Sequence, residues 1–132
     1  MTNDQPRSAP KAERNYNLAE RTARFGEAVI ALAKTIRRSV ITVPLISQFI
    51  RSATSVGANY CEADDAVSKK EFRCKIGTCK KEARETAYWI RMIVAAEGNL
   101  KEAARSLWQE ARELQLIFAS IYRNSASQDG EG

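Results

Sequence analysis

The chain has 132 residues, 44% of them hydrophobic and 28% charged, with a net charge of +5 and a pI near 9.3. That length suits one domain with a sizeable core, and the basic balance permits nucleic acid or an anionic surface as partner without requiring either. The absence of histidine, and 3 cysteines (Cys61, Cys74, Cys79) without CxxC spacing, argue against a zinc site, a disulfide framework or a histidine-assisted nucleophile.

Residues Met1 to Asn15 carry Pro6, Pro10 and mixed charges without an apolar period, and read as a mobile tail. No secretory leader pattern opens the chain and no apolar run is long enough for a membrane span, so a cytoplasmic location without membrane contact is expected. From Tyr16, the positions Leu18, Phe25, Val29, Leu32 and Ile36 alternate spacings of four and three, with Thr22 in the remaining place. They predict a first amphipathic helix ending between Arg37 and Ser39. Thr42 is the expected N-cap of the next helix, with Pro44 in the first turn, where a missing N–H costs little.

The second helix, expected to run to Ala63, is unusual in its polarity. Ile46, Ile50, Ala53, Gly57 and Tyr60 form a core stripe widened by Phe49 and Val56, yet Arg51 is the only charge between Val43 and Cys61. The opposite side carries Ser52, Ser55 and Asn59, ends at Glu62, and is flanked by Thr54, Ala58 and Cys61. Small uncharged residues let two backbones approach, and hydroxyls and amides satisfy one another there. Ser52, Ser55, Asn59 and Glu62 are therefore expected to face a second copy of the chain in a closed oligomer. The plainer alternative is a mildly polar face left in water.

After a polar break at Asp64–Val67, Ser68 and Glu71 form a capping box ahead of a third helix. Its stripe is Phe72, Ile76, Cys79, Ala83, Thr86, Ile90 and Ile93, broadened by Trp89 and Met92. Gly98 is the expected left-handed C-cap, and Asn99 with Glu102 the capping pair of a fourth helix whose stripe is Leu100, Ala104, Leu107, Ala111, Leu114, Phe118 and Ile121. A polar tail is expected from Ser125 to Gly132. Short connections between amphipathic helices predict an all-α, antiparallel up-down-up-down four-helix bundle over residues 16–124, flanked by tails at 1–15 and 125–132.

The string RSATSVGANYCEA followed by SKKEFRCKIGTCKKEARETAYWIRM resembles a family of small bacterial four-helix-bundle proteins encoded within intervening sequences of 23S ribosomal RNA genes. The matching elements are Arg51, Ser52, Ser55, Asn59, Glu62 and Ala63, then Ser68, Phe72, Lys81, Glu82, Ala83, Glu85 and Thr86, within a likeness extending from Leu18 to Tyr122. The resemblance implies a bundle that assembles as a homopentamer. A more distant likeness, to the accessory protein of diversity-generating retroelements, implies a basic pentameric bundle that binds nucleic acid and a reverse transcriptase. No settled biochemical activity accompanies the family, and its genomic location does not make its members ribosomal subunits.

On the third helix Lys70, Arg73, Lys80, Arg84 and Arg91 share one strip with Gly77 and Ala87, uninterrupted by an acid. At about 1.5 Å per residue the strip spans roughly 30 Å, enough to follow a phosphate backbone, and it is the expected nucleic-acid-binding surface. Lys101, Arg105 and Arg112 add a second row on the fourth helix, with Trp108 between them. The bland alternative is a solvated basic face. Trp89, Trp108 and Tyr88 read as core or interface residues before base-stacking ones. Glu62, Asp65, Glu82 and Glu85 make ExxD and ExxE pairs that could hold magnesium in an all-helical pyrophosphohydrolase, against salt bridges of Glu62 and Glu85 with Arg51 or Lys81. The leading expectation is a non-enzymatic homo-oligomer that needs no cofactor or metal and binds RNA or DNA as a scaffold for a second protein. An assembly module without nucleic-acid affinity and a magnesium-dependent nucleotide pyrophosphohydrolase are the alternatives.

Overall fold

Four α-helices, α1 (Asn17–Ala33), α2 (Thr42–Asp64), α3 (Lys69–Ala96) and α4 (Lys101–Asp129), form the described part of the chain, residues 17–129 of a computed structural model, with side chains described to residue 125. The fold is all-α, with no strand among the described residues. The N-terminal stretch 1–15 lies outside them.

Each helix begins or ends for a local reason, and several of those reasons differ from the expected ones. Ser68 caps α3 as expected, its hydroxyl accepting the Glu71 N–H at 3.0 Å, while Glu71 accepts the Val67 N–H at 3.2 Å. Thr42 is not the cap of α2. It is the first helical residue, 1% exposed, and its hydroxyl donates to the Arg37 carbonyl at 2.6 Å. The capping work falls to Ser39, whose Oγ accepts the Thr42 N–H at 3.0 Å while its own N–H donates to Thr42 Oγ1 at 2.9 Å. Gly98 takes no left-handed conformation; with Asn99 and Leu100 it forms a 3-10 turn ahead of α4, and Glu102 pairs with Arg105 instead of capping. Helix α1 stops at Ala33, before the expected Arg37, yet Ile36 still closes the core from the turn that follows, 2% exposed. Helix α4 continues to Asp129 past the expected boundary at Asn124, because nothing between Arg123 and Asp129 breaks a helix.

The core is assembled from the inward stripes, with Phe49, Phe118, Ile76, Ile93, Leu114, Val29 and Val56 all below 2% exposure. Each such side chain contributes about 1.5–3 kcal/mol when removed from water. Helix α3 packs most extensively, against α2 on one side and α4 on the other; α1 lies on α2 and touches α4 less. The stripe of α2 holds at Ile46, Phe49, Ala53, Val56 and Tyr60, all buried, but is rotated slightly from the expected one: Ser52 and Ala63 are buried too, whereas Ile50 and Gly57 are half-buried. The rotation places Ser52 against Thr86 of α3, Val56 beside Cys79, and Gly57 against Thr22 of α1.

Candidate functional site

The basic strip of α3 divides in two. Lys70, Arg84 and Arg91 are exposed and enter no ion pair among the described residues. Arg73 and Lys80 are half-buried around an aromatic ring from α4: the Arg73 guanidinium lies 3.8 Å and the Lys80 ammonium 5.0 Å from the centroid of Tyr122. Gly77 makes room for that ring, since a Cβ there would stand 3.0 Å from Tyr122 Cε1. Ala87, also on the strip, is buried at 7% exposure. The strip thus runs along the seam between α3 and α4. The Arg73 Nε is buried without a hydrogen-bond partner, so its charge is met by the π-face of Tyr122.

Further along that seam a groove of about 270 Å³ opens between α3 and α4. Buried Ile90 and Ala104 and half-buried Val94 give it an apolar lining; Arg91, Lys101 and Arg105 surround it with positive charge. Trp108 lines it with 43% of its surface exposed, so it is not a core residue of the protomer. Arg112, held to Gln115 at 3.1 Å, places its guanidinium 5.7 Å from the Trp108 ring. Trp89 is half-buried, donating to Glu85 at 3.2 Å, with exposed Tyr88 edge-on to it at 5.0 Å.

The line expected to meet a second copy is not continuous either. Ser52 is completely buried inside the protomer: its hydroxyl donates to the Phe49 carbonyl at 3.2 Å and accepts from Thr86 Oγ1 at 2.9 Å. A side chain with no exposed surface cannot touch a neighbour, so Ser52 leaves the interface set. Ser55 and Asn59 are half-buried, Asn59 Nδ2 donating to the Ser55 carbonyl at 2.9 Å. Glu62 is exposed and pairs with Lys75 of α3 at 2.6 Å, which raises the Lys75 pKa. The uncharged side of α2 instead faces a shallow groove of about 260 Å³ against α1, where Thr54, Gly57, Ala58 and Cys61 meet Ala23 and Ile30.

The carboxylate pairs serve arginine and lysine. Glu82 is 8% exposed, with the Arg51 guanidinium 3.3 Å away, and Glu85 receives Arg51 Nη2 as well. The bridge from Arg51 to Glu85 is one of those the sequence suggested; burial of Glu82 is not. Asp65 is the exposed C-cap of α2, and no group of His, Cys, Asp and Glu that could hold a metal ion occurs among the described residues. Cys79 is fully buried and its thiol is pushed up to about 12 by desolvation, whereas Cys61 and Cys74 are exposed. No described helix is long and apolar enough to cross a membrane.

Tyr122 was missed by sequence reasoning. Its only signal is Gly77, which interrupts a row of cations where any other residue would keep a longer side chain. The burial of Glu82 had the weaker signal of a lone Arg51 in an otherwise uncharged stretch.

Compared with known proteins, residues 14–120 match the family described as 23S rRNA-intervening sequence protein. No curated protein matches the chain. Among solved structures it is similar to a protein of unknown function from the S23 ribosomal protein family of Bacteroides thetaiotaomicron, with 28% identity and a TM-score of 0.71 over 80% of this chain and 97% of that one.

Proposed function

The chain belongs to the 23S rRNA-intervening sequence protein family, and from that premise we propose that it is a non-enzymatic, cytoplasmic homo-oligomer that binds RNA or another nucleic acid through the exposed cations of α3. The observation that carries the proposal is the placement of Lys70, Arg84 and Arg91, exposed along one helix without an acid partner among the described residues. Such a row contacts phosphates and not base edges, so affinity follows charge and shape. Up-down-up-down order is supported by the pairings: Ser52 with Thr86, Val56 with Cys79 and Glu62 with Lys75 rise along α2 as they fall along α3. Assembly is supported by the α1/α2 groove, whose α2 wall of Thr54, Gly57, Ala58 and Cys61 is uncharged and offers small residues to a second copy, with Glu27 of α1 on the opposite wall, in the pentameric arrangement that the resemblance implies. A ring would multiply the basic row and let a weak single contact act in parallel, with room for a second protein on the scaffold.

A second reading, an assembly module without nucleic-acid affinity, is favoured by one observation: Arg73 and Lys80 are already engaged with Tyr122. Two measurements test the readings, and the second separates them. Light scattering at micromolar concentration tests assembly, and a monomer contradicts both. RNA binding across a salt series tests the basic row: steep weakening with salt, reduced by Arg84→Gln and Arg91→Gln, is expected. Unchanged binding in those variants removes the row.

A further inference from the structure

We infer that the groove between α3 and α4 is a subsite for one unstacked nucleobase, with Trp108 as its stacking platform and Arg91 and Lys101 holding the flanking phosphates. The inference rests on the nucleic-acid reading above and goes beyond it, because that reading requires only backbone contacts and is indifferent to strandedness. Trp108 is the anchor: the indole is 43% exposed beside an apolar lining, and with the Arg112 guanidinium 5.7 Å from its centroid it still offers π-surface to a planar ligand. The surrounding charge is positive and largely uncommitted. Arg105 is paired with Glu102 at 3.0 Å, whereas Arg91 and Lys101 enter no ion pair among the described residues.

Size selects the occupant. At about 270 Å³ the groove is below the roughly 300–1,000 Å³ of sites that enclose drug-sized ligands, so it suits a single ring system better than a docked helix. A duplex keeps its bases stacked inside and can present only its backbone here, whereas a single strand or loop can turn one base onto the indole. Arg91 belongs both to this groove and to the exposed row on α3, so a strand running along Arg84 and Arg91 reaches the groove without leaving positive charge.

The chain has 2 tryptophans, so a Trp89→Phe variant of the full chain reports on Trp108 alone. Titrated with a short oligouridylate, that variant is expected to lose Trp108 emission, while an RNA duplex of the same length binds with little quenching. Trp108→Ala is expected to weaken oligouridylate binding by about tenfold, the change that loss of one stacked base produces, with Trp108→Phe retaining most of the affinity and duplex binding little altered. If both substitutions leave oligouridylate binding unchanged while Arg84→Gln weakens it, the subsite falls and the backbone-binding reading stands. If neither RNA binds, both fall. Shielding of Trp108 from acrylamide in RNA-free protein would also overturn the inference, since a second copy of the chain would then occupy the groove.

Discussion

Thr86 donates its hydroxyl hydrogen to Ser52 across the buried face between α2 and α3, at 2.9 Å, with both residues fully removed from solvent. The Thr86 hydroxyl also lies 2.8 Å from the Glu82 carbonyl, and Ser52 Oγ lies 3.2 Å from that of Phe49, so each oxygen retains a backbone partner when the other is removed. Thr86→Val and Ser52→Ala should therefore each destabilise by only about 1 kcal/mol, with the double variant less than additive by a few tenths to about 1 kcal/mol. Thermal unfolding of the four-member cycle checks this; full additivity would mean the bond contributes nothing.

Arg51 should matter far more. It is the cation facing Glu82, whose side chain is 10% exposed, and it also meets Glu85. Arg51→Met leaves a buried carboxylate without its partner and should destabilise by about 3 kcal/mol, and adding Glu82→Gln should restore a good part of that loss. Denaturant unfolding of the single and double variants reads the difference.

Gly77 supplies a test of the Tyr122 cradle. Replacing a mid-helix glycine by alanine normally stabilises by about 1 kcal/mol, but here the added Cβ would press on the ring at 3.0 Å. Gly77→Ala should therefore destabilise the native chain by about 1 kcal/mol through displacement of a ring that Arg73 also contacts, and stabilise a Tyr122→Ala background by a similar amount. A common sign in the two backgrounds would mean that the ring does not occupy the place described.

Cys79 gives the fold a pH dependence on the alkaline side. Burial raises its thiol from 9.0 to about 12, and burial also raises the Tyr60 phenol. Between those limits the unfolded chain releases the Cys79 proton and the folded chain keeps it, so stability is fully present below pH 9 and falls as pH rises, by about 1.4 kcal/mol per unit for this one group. Cys79→Ala should flatten the loss above pH 9. Under native conditions a thiol reagent should modify Cys74 and reach Cys79 only on unfolding.

The two parts of the basic row should behave differently on substitution. Arg84→Gln with Arg91→Gln should leave the melting temperature nearly unchanged and lower the salt slope of RNA binding by about two, one for each lost phosphate contact. Arg73→Gln should lower the melting temperature, because the guanidinium is packed on Tyr122. Melting curves and filter binding on the same preparations distinguish the two.

Helix number, helix order, the start of α3 at Ser68 and nearly all of the large core side chains were written in local terms: spacing of apolar residues, and a serine three residues before a glutamate. Those signals act within a few residues, through a helical period and a cap hydrogen bond, so the chain by itself carries them. Which way α2 turns about its axis was not local. A serine can be core or surface, and only the approach of Thr86 on another helix makes the buried position tolerable for Ser52. The same holds for Arg73 and Lys80, which are interchangeable with Arg84 in the sequence and are set apart by a tyrosine distant in the chain. Periodicity says which residues want to leave water; tertiary contact determines which polar groups are permitted to follow them, because a hydroxyl or a cation can be buried only where a partner meets it.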